Sequence, residues 1–167
     1  MKTKFISVKV IAAIAILVTG INCVSIVPTG YTGVRTTFGQ ISSETMPNGL
    51  NIKLPYIQSV NLINNKQQDK EFANNQVWGE TKDQVQVYAQ YATVSYRLNP
   101  EKSAYLYTNF NGIDNIISEV MFDSAFKQAV STLEPAEATK REKIEPATQA
   151  KLQQLVNEKY GENTVDV

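Results

Sequence analysis

Residues 10–27, VIAAIAILVTGINCVSIV, carry no charge, and Lys2, Lys4 and Lys9 stand just before them. An uncharged apolar run of this length constrains the chain more than anything that follows it. Wound as a helix, residues 10–27 span roughly 27 Å, close to the ~30 Å hydrocarbon core of a bilayer. The positions that would face lipid are Val10, Ile11, Ile14, Ile16, Leu17, Val18, Ile21, Val24, Ile26 and Val27.

Three fates are open to such a run. A cleaved signal has a shorter apolar core and a small-residue exit; here the core continues to Val27 with no A-x-A after it. A lipoprotein signal would use Cys23, but Gly20-Ile21-Asn22 is a poor lead-in to it. An uncleaved anchor fits best. The three lysines then hold residues 1–9 in the cytoplasm and place residues 28–167 outside it. The alternative is an exported lipoprotein or secreted binding module, processed near Cys23.

Composition bounds what the remaining ~140 residues do; that length suits one domain with its own core. Sixteen basic and sixteen acidic residues cancel, and no basic stripe invites nucleic acid. The single Cys excludes an intrachain disulfide framework. The chain has no histidine, which excludes Ser-His-Asp and Cys-His nucleophile arrangements and the commonest metal ligand. No D-x-D-x-D-G loop, P-loop or G-x-G-x-x-G cradle is present. A Ser-Lys hydrolase stays open by residue type. The expectation is a protein without catalytic residues, cofactor or metal.

After the run, a strand-rich half precedes a helix-rich half. Val27-Pro28-Thr29-Gly30 stops the helix. Residues 31–38 (YTGVRTTF) read as a strand ended by Gly39, and Met46-Pro47-Asn48-Gly49 as a turn. Residues 50–54 (LNIKL) alternate, with Leu50, Ile52 and Leu54 expected inward and Asn51 and Lys53 outward, until Pro55. Residues 57–63 form another short strand; 64–76 is a strand with an exposed face or a loop. Residues 84–98 make the clearest strand. Its odd positions are apolar early and its even positions late, so its buried face should switch along its length.

Asn99-Pro100 then opens a helix over 101–108. A second helix is expected over 113–131 on Ile113, Ile116, Ile117, Val120, Met121 and Ser124. A third covers 136–160, where Pro146 should kink or divide it, and Gly161 caps it. Residues 164–167 start a strand whose edge is available to a partner. The tyrosines between Tyr88 and Tyr107 lack the flanking cations of a nucleic-acid platform and read as packing. Trp78, in a polar stretch, reads as partly buried, with headgroup or subunit contact as the alternative.

The stretch Val27-Pro28-Thr29-Gly30-Tyr31-Thr32-Gly33-Val34, then Phe38-Gly39, Pro47-Asn48-Gly49-Leu50 and Lys53-Leu54-Pro55-Tyr56, resembles the start of the stomatin/prohibitin/flotillin/HflC domain, the SPFH or band-7 family. Thr81-Lys82-Asp83, Tyr96-Arg97-Leu98-Asn99-Pro100, Arg141-Glu142 and Tyr160-Gly161 continue the resemblance through residues 24–167. The prohibitin and HflC branches look closest. Pro28, Gly30, Gly33, Phe38, Gly39, Pro47, Gly49, Leu50, Pro55, Tyr96, Arg97 and Pro100 are the structural positions of these motifs.

The resemblance implies an α+β domain: a twisted, mainly antiparallel sheet packed by helices behind a transmembrane helix. It implies a non-enzymatic scaffold on the lipid bilayer that self-associates into a homo- or hetero-oligomer. A membrane AAA protease of the FtsH type would be a client, and nucleic acid would not. Two departures stand out. Pro146 interrupts a helix that usually runs on, and the long charged coiled coil that usually follows the last strand is not in this sequence.

Overall fold

β-Branched residues decide the first element against the expected helix. A computed structural model of the chain describes residue 10, residues 22–110 and residues 113–167, with the backbone alone at 74–76 and 114. Within it Val24–Val27 is a strand, β1, and not the end of a helix. The sequence VSIV suits a pleated backbone, and β1 pairs antiparallel with β4 (Gly49–Ile52), Val24 opposite Ile52 and Val27 opposite Gly49. Ile11, Ile14, Ile16, Leu17, Val18 and Ile21 lie outside the described residues. Among the described residues, no helix is long and apolar enough to cross a membrane.

The chain is α+β and divides into two units, residues 1–64 and 65–167. In place of the one expected sheet, the described residues form three small ones, every pair antiparallel.

The first unit holds β1–β4 and a three-stranded sheet of order β3-β2-β5. Its strands are β2 (Tyr31–Thr37), β3 (Gln40–Met46) and β5 (Gln58–Asn64). Val27, Val34, Met46 and Ile63 form its core. β3 was not expected; QISSETM has no apolar alternation, and its register comes from β2 through a two-residue turn at Phe38-Gly39.

The second unit is built on a long ribbon, β6 (Gln68–Glu80) with β7 (Gln86–Leu98), and the short β8 (Val165–Asp166) extends it on the β7 side. The face switch on β7 is present. Val87 and Ala89 are half-buried, Gln90 and Tyr91 are exposed, and burial resumes on Ala92, Val94, Tyr96 and Leu98. The cause is a break in register: Ala73 pairs with Tyr91 but Val77 with Ala89. The break turns both stretches toward one helix.

That helix is α2 (Glu119–Val130), preceded by a 3-10 turn at Ile113–Asn115 and by α1 (Ser103–Asn109), with a 3-10 turn at Pro100–Lys102 leading into α1. α2 begins where the Ser118 hydroxyl accepts from the Met121 amide, 3.3 Å. Its buried face is Met121, Phe122, Ala125, Phe126, Ala129 and Val130; Val120, expected inside, is exposed. Phe122 stacks on Phe72 of β6, centroids 4.4 Å apart and planes 9° from parallel.

The expected third helix is divided, though not at its proline. A single turn, α3 (Pro135–Ala138), gives way to α4 (Arg141–Tyr160), and Pro146 lies inside α4 without ending it. Its missing N–H leaves only the Glu142 carbonyl unpaired, and Glu142 sits in the exposed first turn where water replaces the bond.

Candidate functional site

The motif residues sort into three structural tasks. The first is close approach at Val27–Val34. The chain reverses at Pro28–Tyr31, with the Tyr31 amide donating to the Pro28 carbonyl at 3.1 Å and Gly30 at φ 83°. Gly33 then sits so tightly that a Cβ would lie 3.0 Å from Val27 Cγ2, 3.0 Å from Val60 Cγ1 and 3.1 Å from Met46 Cβ. Only hydrogen on that carbon lets β1 lie over β2.

The second task is turning. Pro47-Asn48-Gly49 leads from β3 into β4, with Gly49 at φ 115° and the Asn51 side chain donating to the Pro47 carbonyl at 2.8 Å. Thr81-Lys82-Asp83 is the β6–β7 turn: the Thr81 amide donates to Val85 O, and the Val85 amide donates to the Thr81 hydroxyl. Phe38-Gly39 is a two-residue hairpin turn with both residues at positive φ, 49° and 85°.

The third task is joining. Tyr96 and Leu98 point into the core of the second unit, while Arg97 lies opposite Asp166 of β8, their charged groups 3.5 Å apart in solvent. The Asn99 side chain accepts from the Glu101 amide and donates to the Asn163 carbonyl, and Pro100 is the first residue of the following turn. At the far end, Tyr160 is buried, its hydroxyl donating to the Ile116 carbonyl at 2.8 Å and its ring meeting Phe110 edge-on.

The expected inward face of residues 50–54 is inverted. Leu50, Ile52 and Leu54 are 71 %, 73 % and 55 % exposed, while Asn51 and Lys53 are half-buried. Alternation fixes which residues share a face but not which face meets the core. Here Val27, buried opposite Gly49, decides it, because the register of β1 on β4 puts Val24, Ile26, Leu50 and Ile52 together on the other side. Pro55 lies half-buried in the β4–β5 loop beside the exposed Tyr56.

The terminal strand is not a free edge. β7 pairs with one side of β8, and on the other the Gln153 side chain donates to the Val165 carbonyl (2.8 Å) and accepts from the Val167 amide (2.9 Å). Gln149 donates to the Val167 carbonyl. Glutamines of α4 therefore occupy the place of a neighbouring strand; nothing in the hydrophobic pattern of that helix signals them.

Candidate chemistry is sparse. Among the described residues, no three Cys, Asp or Glu side chains gather as metal ligands. An S-x-x-K spacing does occur, Ser124 to Lys127 on α2, but the Lys127 ammonium is paired with Asp123 at 2.7 Å and lies 4.9 Å from the centre of the Trp78 ring. Trp78 is 37 % exposed under that cation.

The family model for the SPFH domain / Band 7 family matches residues 25–167. The chain belongs to that family, one of membrane-associated scaffolds. No curated protein matches the chain significantly.

Proposed function

We propose that this chain is a membrane-anchored scaffold of the prohibitin or HflC type, which assembles laterally, organises a patch of bilayer and modulates embedded partners such as an FtsH-type AAA protease. The observation that carries the reading is adjacency: the family domain begins at residue 25, at the end of an uncharged apolar run led by three lysines. One such run confines each copy to two dimensions, and that confinement raises effective concentration, so weak lateral contacts suffice for large assemblies. The chemistry is recognition and not catalysis, with no cofactor. Residues 1–9 would be cytoplasmic, 10–23 the membrane segment and the domain extracytoplasmic.

The test is fractionation with a topology reporter at Val167. Retention in membranes after alkaline carbonate, with the reporter active only outside the cytoplasm, is expected. Release by carbonate, or a reporter active only in the cytoplasm, would overturn the reading. The lipoprotein alternative predicts an intact mass that lacks the first 22 residues and carries lipid on Cys23.

A further inference from the structure

Resting on the membrane-anchored reading, we propose that the first unit makes its own contact with the lipid bilayer: the face of Val24, Ile26, Leu50 and Ile52 lies against it, and Phe38 and Tyr56 reach into its interfacial layer.

The face comes from the inverted alternation. Val24 is paired with Ile52 and Ile26 with Leu50 across β1–β4, so four apolar side chains stand together, 40 % to 73 % exposed. Scattered exposed apolar residues are ordinary; a cross-strand block of them marks an interaction surface. The polar residue between them, Asn51, is the one turned inward.

The tips carry the same sign. Phe38 and Tyr56 are 83 % and 84 % exposed, and both hold left-handed backbone, φ 49° and 64°. Bulky residues are rare there, and Asn or Gly would sit more easily. In water, these aromatics gain nothing from their positions. At a headgroup layer they gain what interfacial aromatic residues gain: an apolar ring in the acyl boundary and, for Tyr56, a hydroxyl in the wet zone.

Position selects lipid over other occupants. The Phe38 amide donates to the Ile57 carbonyl at 3.1 Å, and the Lys53 amide donates to the Cys23 carbonyl at 2.8 Å. Both tips therefore lie at the end of the unit where residues 10–21 are covalently joined. A bilayer holding that segment is within reach of both loops. Charge agrees: from residue 22 to residue 64 the charged side chains are Arg35, Glu44 and Lys53 alone, and no carboxylate lies between 45 and 68 to repel anionic headgroups.

The full chain, reconstituted in phosphatidylcholine–phosphatidylglycerol vesicles whose acyl chains carry bromine, tests this. Trp78→Phe removes the single tryptophan; Tyr56→Trp then places a reporter at the tip, and Asn48→Trp places one at the opposite end of the same unit. Both proteins should float with the vesicles, and bromine should quench the reporter at 56 at least about threefold more than the one at 48, as expected for a ring in the interface. Flotation with equal quenching at the two sites would overturn the proposal while leaving the anchor intact; a second copy covering the face would give that result. Failure to float would overturn the anchored reading and this proposal together.

Discussion

The Lys53 amide donates to the Cys23 carbonyl at 2.8 Å. That bond ties the point where the apolar N-terminal run meets the domain to the end of β4, and the β4–β5 loop follows at once. A membrane segment attached here would deliver the first unit to the bilayer in a set orientation, not on a loose tether. The same bond accounts for the strand at 24–27: once β4 offers a partner, a β-branched stretch gains more from pairing than from one more helical turn.

Gly33→Ala should destabilise the first unit by about 1–3 kcal/mol, the usual result of overpacking. The added methyl meets three side chains at 3.0–3.1 Å, contributed by β1, β3 and β5, so no single neighbour relieves it. Denaturant unfolding followed by circular dichroism measures this. Unchanged stability would mean that β1 does not lie over β2 as described.

Gly79→Ala should act likewise on the second unit, by about 1–3 kcal/mol. Its Cβ would stand 3.1 Å from Val130 Cβ and 3.4 Å from the Lys127 backbone, holding α2 off β6. Because Phe72 stacks on Phe122 across the same helix–ribbon contact, near-ultraviolet circular dichroism should report the shift.

Phe38→Asn should raise stability by roughly 1 kcal/mol, since Asn-Gly suits a hairpin turn with both residues at positive φ. A thermal melt of the variant beside the parent decides it. A lower melting temperature would show that the phenylalanine contributes to the fold through contacts its 83 % exposure does not suggest.

Tyr160→Phe removes the hydroxyl that pairs with the Ile116 carbonyl and leaves that carbonyl unsatisfied beside a buried ring. A loss of about 1–3 kcal/mol is expected, and Tyr160→Ala should cost more through the Phe110 contact. The comparison is made in denaturant melts.

Gln153→Ala should free the Val167 amide, and its hydrogen exchange should accelerate while the amides of β7 stay protected. Gln153→Glu keeps the acceptor for Val167 but loses the donor to Val165, so it should protect Val167 partly. Equal exchange in all three proteins would remove the glutamine clamp from the account.

Period and punctuation made much of this legible in the sequence. The turns at Pro28–Gly30, Pro47–Gly49 and Thr81–Asp83 fall where their residue types ask for them, and the face switch of β7 is written in its apolar parity. Three things were hidden. The side on which Leu50 and Ile52 would fall depends on pairing with β1, which periodicity cannot see. β3 is polar and exists through its partner. The face of α2 was misjudged at Val120 because its real stripe, led by Phe122 and Phe126, follows from a start at Ser118 and not at Ile113. Pro146 was given too much weight because its distance from the exposed N-terminus of α4 becomes clear only once that helix starts at Arg141. Of the candidate site, the motif glycines and prolines were legible as positions, and the exposed apolar face was not.

Lateral assembly on a membrane is the central claim, and the mass of the native complex after gentle detergent extraction tests it most directly. The account predicts a large, discrete assembly of many copies, alone or with a partner subunit, on a native gel and in single-particle images. A monodisperse monomer from membranes, unchanged by cross-linking before extraction, would contradict it.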